Sequence, residues 1–561
     1  MKGDFPLKKI RPFMVIGLIA FIFILPHLFT HQLILGADAS FHYNRFYETA
    51  QQIKNHNFHY FISVYGFQQS GRIVNAVYGP FFAYFQGLLV LISGSWFHYQ
   101  IVSNFILYLI AGCSMITLLK YAKIADLIAV PTAVIFMSTY SIQYWTINQG
   151  FTSWGTAFLP LCLLPIVDFI VNKKFPLKKV AVSIALMTQI HLLSTIMLIL
   201  MYVPFYVAFF FSQTDRGNQL LQLGKSILLY FLLTANIWVS LLIVYSGNDI
   251  LAPFVNKNMS EKAINLGGNY WLHYPRIFPI ILAIGVLLLV LFRKKLTFFD
   301  KLLFGTSLFF LLLSTSLVPW TTLITKGVPF IRLIQFPFRF FVPFTVLFLL
   351  LLALVFSHWH SQKWLKVIGV SLVIICTVQT IQTLSSHLAQ WEQTKFVSRH
   401  TYLFEDQATT RKTFFNKDLE TSLFAFQKTT PDYLPIYQET SANKYDRYSQ
   451  DILDNETKYI KSYSDGALTV TWKNTGTQTV KLPIIVYDRT KLVRNGHTIT
   501  DYQLTDIGTP IIKQHKGINK VTVHYSPPFY FYFSFVVSLV TWGILLLFFG
   551  YQVYRSFRKS K

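Results

Sequence analysis

Acid is what this chain has least of. Only 24 Asp and Glu stand against 49 Lys and Arg in 561 residues, and 13% of the residues are charged. Soluble domains are roughly a quarter charged, so a soluble enzyme or a soluble basic domain that grips nucleic acid is excluded. Cysteine is almost missing as well. Cys113, Cys162 and Cys376 all lie in apolar runs, so no disulfide framework is encoded. Gly-rich phosphate loops, cysteine clusters and serine-nucleophile motifs are absent too. The first apolar run has no small-residue cleavage site, so Lys8, Lys9 and Arg11 precede a retained anchor rather than a removed signal.

What the chain has in abundance is apolar sequence, 53% of it. Runs of roughly 17–25 apolar residues, enough to cross a bilayer, recur near 12–30, 76–95, 101–119, 124–141, 152–171, 226–246, 277–293, 302–320, 340–357, 366–384 and 529–549. The run 179–212 reads either as two short arms turning near His191 or as one long crossing. Lys173, Lys174, Lys178 and Lys179 fall within seven residues, a strong cytoplasmic signal that favours the two-arm reading. Both termini are basic, so both belong in the cytoplasm. An even number of crossings follows, about twelve in all.

From 385 to 528 the apolar runs stop, and 18 Lys and Arg nearly balance 15 Asp and Glu. Alternating segments at Ala467–Trp472, Val480–Tyr487 and Gly517–Tyr525 predict strands, and Asn495-Gly496 predicts a hairpin turn. The expected architecture is a polytopic α-helical membrane protein. Residues 1–384 form its transmembrane domain, with a first outer loop over 31–75. An extracytoplasmic β-sandwich-like domain over 385–528 precedes the last span, and 529–561 supply that span and a basic tail.

With acids so few, their positions matter. Asp38, Glu48, Asp249 and Glu261 remain for an outer-face site, and Asp38 lies closest after a span. Asp38, His42 and Arg45 are spaced i, i+4, i+7, one face of a helix if the segment is helical. Asp38 reads either as a general base or as the cap of an interfacial helix. Arg276, Arg332 and Arg339 lie where loops enter the membrane, with Gln335 beside the last two. Guanidinium forks there suit phosphate oxygens, although each would also snorkel to headgroups. His191 is polar within an apolar run, either as a helix–helix hydrogen bond or as a substrate contact at the outer face. A metal held by Asp38, His42 and His191 would have no recognised ligand spacing, so no cofactor is expected. Transport is the runner-up, because the span centres hold few of the ionisable groups that proton coupling needs. An envelope assembly protein without catalysis is the third reading.

Gly36-Ala37-Asp38-Ala39-Ser40-Phe41-His42 after the first run, Gln335-Phe336-Pro337-Phe338-Arg339-Phe340 before a late one, and the Asn495-Gly496 hairpin carry a family resemblance. Over nearly its whole length the chain resembles the bacterial membrane proteins labelled 6-pyruvoyl-tetrahydropterin-synthase-related, and the neighbouring YfhO-type proteins. The resemblance implies a GT-C-like glycosyltransferase that takes a sugar from a polyprenyl-phosphate carrier and passes it to a cell-surface glycan or teichoic-acid-type acceptor. It implies Asp38 as the base. Many members carry a second acid two residues away; this chain has Ser40 and Gly36 there.

Overall fold

The computed structural model describes residues 7–251, 254–265, 270–359, 361–393, 397, 402–403, 406–439, 443–455, 458–464 and 466–560. Among the described residues nine helices are long and apolar enough to cross a membrane: Ile10–Thr30, Trp96–Tyr121, Asp126–Asn148, Thr152–Ile170, Leu192–Ser212, Arg216–Gly247, Pro337–Phe356, Gln362–Glu392 and Phe529–Arg555. The chain is a membrane protein. Its long helices are fewer than the expected total of about twelve, and length is the reason. Pro80–Ser93, Leu177–Ile190 and Phe278–Leu291 have 14 residues each. At 1.5 Å per residue that is about 21 Å, short of a hydrocarbon core of about 30 Å.

Two compact units make up the chain. A helical unit comprises Met1–Ala39, Ser95–Gly224 and Phe254–Arg399, and a mixed unit comprises Ser40–Gly94, Lys225–Pro253 and His400–Lys561. The division cuts across the expected boundaries: most of the first outer loop and the last helix belong with the β region.

In the helical unit the run 177–212 folds back on itself at one residue. His191 is extended (φ −159°, ψ 111°) between the helices Leu177–Ile190 and Leu192–Ser212. The neighbouring helix shows the reversal. Lys179 Nζ meets Asp168 Oδ2 at 2.8 Å, and Cys162 Sγ donates to the Ser183 carbonyl at 3.6 Å. The descending arm then passes the same levels in reverse. Ser194 lies against Gly155, Tyr202 OH donates to the Cys162 carbonyl, and Phe209 packs on Phe169. Both ends of the run therefore lie at one end of the unit, and His191 lies at the other.

Besides the short pairing of Tyr402–Leu403 with Gln427–Lys428, the mixed unit holds two antiparallel sheets of three or more strands. The larger runs in the order Ile460–Ser464, Ala467–Asn474, Gly517–Tyr525, Thr490–Arg494, His497–Thr498; the smaller in the order Thr479–Lys481, Pro510–Lys513, Gln503–Leu504. Leu468, Val470, Leu492, Val521 and Val523 of one meet Ile512 of the other in a single core, joined by Phe61, Ile73 and Phe531. The predicted hairpin forms: Asn495 (φ 51°) and Gly496 (φ 78°) link paired strands with positive φ at both central positions. The expected strand over Val480–Tyr487 is shorter, since only Thr479–Lys481 joins a ladder.

One acid organises the segment that follows the helix Ala39–Lys54. Glu48, on the helix Ala39–Lys54, is buried and accepts from the backbone N–H groups of Val64 (3.1 Å), Tyr65 (2.7 Å) and Gly66 (2.7 Å), and from Gln52 Nε2 (2.7 Å). Burial raises its pKa above the ordinary carboxylate value while those four donors pull it back. Its work is structural. Glu48→Ala strips the acceptor from three backbone amides, each costing about 1–3 kcal/mol when left buried and unpaired. We expect a stability loss of about 3 kcal/mol or more, measured by thermal unfolding of the detergent-solubilised protein.

Candidate functional site

The segment Ile34–Asp38 leaves the first helix as irregular backbone and is held by two amide side chains. Gln100 Oε1 accepts from Ile34 N–H (3.0 Å), while its Nε2 donates to the Ile34 carbonyl (2.8 Å). Gln149 Oε1 accepts from Gly36 N–H (2.5 Å), while its Nε2 donates to the Ile34 carbonyl (3.2 Å). Asp38 N–H then donates to the Asn148 carbonyl (3.2 Å). The backbones approach so closely that a Cβ on Gly36 would fall 2.1 Å from Asn148 Cα. Only glycine fits there.

Gly36 and Asn148 line a cavity of about 230 Å³ together with Tyr140, Tyr270, His387, Gln390 and Trp391. Tyr140 and Tyr270 stack at 5.7 Å, and Asn148 Nδ2 donates to Tyr140 OH at 2.6 Å. His387 Nδ1 lies 2.9 Å from the Thr383 carbonyl. In the neutral ring that nitrogen carries the proton, leaving Nε2 as an acceptor. Aromatic faces interleaved with amides and an imidazole form the chemistry that holds a polyol. Asp38, half-buried, follows two residues after the Gly36 wall.

Past Asn148 the chain turns and lines a second, far smaller cavity of about 10 Å³, room for about one water, with Thr152, Gly155 and Thr156 facing Ser194 and Arg339. His191 flanks it. Its Nδ1 meets Ser194 Oγ at 2.8 Å, and its ring lies 6.1 Å from that of Phe151. Arg339 Nη1 donates to the Ile334 carbonyl and to Gln335 Oε1, both at 2.9 Å, and its guanidinium lies 5.0 Å from the Phe336 ring centre. Gln335 in turn donates to the Phe254 carbonyl (2.8 Å). Asp38, His191, Gln335 and Arg339 thus gather about one end of the helical unit, around the turn 148–155, in two neighbouring cavities rather than one chamber.

Four residues stand elsewhere. Arg276 and Arg332 are exposed and line neither cavity. Asp38 precedes the helix Ala39–Lys54, so the helical-face spacing unites only His42 and Arg45. Those two are buried in the mixed unit, where Arg45 Nε donates to Asn75 Oδ1 (3.1 Å), Nη1 meets His42 Nδ1 (3.2 Å) and Nη2 donates to the Tyr78 carbonyl. Its guanidinium covers the Tyr78 ring at 4.2 Å. With its donors turned inward, Arg45 braces the loop and presents no fork to a phosphate. Among the described residues no three His, Cys, Asp or Glu side chains gather as metal ligands.

The residues that sequence reasoning passed over are Tyr140, Asn148, Gln149, Tyr270, His387, Gln390 and Trp391. A signal existed for some of them. Gln143, Asn148 and Gln149 put three amides at the end of an apolar run, where lipid offers them no partner.

No protein-family model matches the chain, and neither does any curated protein sequence. The resemblance to the pterin-synthase-related and YfhO-type families therefore has no support from those comparisons. Among solved structures the chain is similar to the Archaeoglobus fulgidus oligosaccharyltransferase tethered by a disulfide bond to an acceptor peptide containing the NVT sequon. The match covers 77% of this chain and 61% of that one, at 12% identity and a TM-score of 0.34. The chain thus spans about three-fifths of that protein's length. A likeness this distant carries no argument about fold or activity.

Gly36→Ala should drive the Ile34–Asp38 segment off Asn148. We expect a stability loss of about 2 kcal/mol or more from the clash and the broken amide pairs. Arg332→Ala, at an exposed position, should stay within about 0.5 kcal/mol of the parent. Thermal unfolding of the two variants side by side checks both.

Proposed function

We propose that this chain is a GT-C-type membrane glycosyltransferase that moves a sugar from a polyprenyl-phosphate carrier to a hydroxyl of a cell-surface glycan or teichoic-acid-type acceptor. The observation that carries the reading is a polar, aromatic cavity walled by Gly36 and Asn148, with a carboxylate two residues beyond its wall and a guanidinium in the adjoining cleft. Sugars are bound by just such surfaces, through ring faces on Tyr270 and Trp391 and hydroxyl hydrogen bonds to Asn148, His387 and Gln390. The outer face of a bacterial plasma membrane, with both termini cytoplasmic, is the location that fits this donor.

In the proposed step the Asp38 carboxylate takes the proton of the acceptor hydroxyl as its oxygen bonds to the anomeric carbon. The bond from that carbon to the carrier phosphate breaks, and the phosphate leaves with the electron pair. Arg339, held in place by Gln335, offsets the charge that grows on the phosphate oxygens, where a placed cation acts most strongly. His191 orders the same cleft through Ser194. Arg276 and Arg332, exposed at loop positions, serve at most to hold lipid headgroups.

The test is transfer of labelled sugar from a polyprenyl-phosphate donor in reconstituted membranes. Asp38→Asn should cut the rate by about 10²–10⁴, the usual worth of a general base, with no change in thermal unfolding. A variant as active as the parent removes Asp38 from the mechanism. Arg339→Ala should weaken donor-lipid binding about tenfold or more, the value of a lost charge-assisted hydrogen bond, and unchanged affinity removes the phosphate contact.

A further inference from the structure

The acids of the outer region are unevenly distributed. Between Gly466 and Pro528 there are eight Lys and Arg but only Asp488, Asp501 and Asp506. All three already face basic side chains: Arg489, Lys513, and Lys444 with Arg447. The five-stranded sheet sorts what is left by face. Its core face carries Leu468, Val470, Val521 and Val523. Strand register sets the opposite face. Ile518 pairs with Lys473, Lys520 with Thr471, Thr522 with both Thr469 and Val493, and His524 with Lys491, while Ile460 and Ser462 flank Thr471 and Thr469.

Lys473, Lys491 and Lys520 are exposed on this face, and Ile460 and Ile518 are 74% and 75% exposed. Among the described residues the paired positions of the face hold no acid. Lys473 and Lys520 are diagonal neighbours, about 7–8 Å apart at the backbone, so each raises the cost of leaving the other without an anion. Arg494 turns away: it donates to the Lys513 carbonyl (2.8 Å) from the other side of its strand.

We infer that this face binds a phosphodiester-linked anionic polymer. Three unpaired ammonium groups set among hydroxyls on one face of the sheet match a chain of regularly spaced negative charges. A lysine ammonium binds phosphate as a compact point charge, so ammonium groups at strand spacing meet a row of phosphates by position rather than by fork geometry. The face presents lysines and no arginine. The inference rests on the sheet alone and holds whether or not Asp38 transfers a sugar.

The test uses the full chain in neutral-lipid nanodiscs, with synthetic poly(glycerol phosphate) as the probe. Dextran, polygalacturonate and anionic vesicles serve as comparisons. The parent should bind the phosphate polymer, and K473E/K520E should bind it at least tenfold more weakly while unfolding at the same temperature. The dependence of log Kd on log salt should flatten by about one to two as two phosphate contacts and their counterions are lost. K491E should give a smaller loss, and K294E, the same charge change at an exposed site in the helical unit, none. Equal affinity of parent and K473E/K520E overturns the inference, as does binding of polygalacturonate or dextran as tight as that of the phosphate polymer. Binding to anionic vesicles without binding to the polymer reassigns the face to a membrane and overturns it too.

Discussion

Everything at the candidate site depends on two buried glutamines. Gln100 and Gln149 supply the hydrogen bonds that Ile34 and Gly36 would otherwise lack where they leave a helix among apolar side chains. A backbone group without a partner in such surroundings costs several kcal/mol, so the segment stays only where the amides hold it. Its position sets that of Asp38, and the missing Cβ of Gly36 lets the wall of the cavity close. A flexible loop at the mouth of a helix thereby becomes a rigid shelf for one carboxylate.

The guanidinium groups of Arg45, buried, and Arg339, half-buried, act in different ways. Arg45 directs each of its three nitrogens to a protein partner: Asn75, His42 and the Tyr78 carbonyl. Arg339 is held on one side by Ile334 and Gln335 while it also walls a cleft. Distance along the chain from a span says nothing about this difference. What separates the two is whether the guanidinium borders open space.

The legible part of the fold was the part written in periodicity and local turn chemistry. Asn495-Gly496 could hardly form anything but a tight hairpin, and a lysine cluster before an overlong apolar run pointed to the reversal at His191. Other features rested on information that a single chain does not display. Apolar composition does not separate a 14-residue helix from a crossing one, so the count of long helices came out lower than the apolar runs suggested. A spacing of i, i+3 places His42 and Arg45 on one face without saying what that face meets, and it meets Asn75 and Tyr78. Glu48 looked like a spare outer acid because three of its four partners are backbone amides, which have no side-chain signature. The sugar-compatible cavity draws on residues from 33 to 391, and only its amide cluster near 148 was visible as an anomaly.

The reversal at His191 has a consequence for how the cleft tolerates change. One non-helical residue separates the arms, so there is no slack to absorb a length difference. A single inserted or deleted residue beyond it would rotate the whole descending helix by about 100°. Ser194 would swing off Gly155, and the face lining the cleft with Arg339 would be exchanged for one shaped to meet lipid. Lipid-facing side chains along this hairpin carry no such constraint, but its residue count is locked by helical phase.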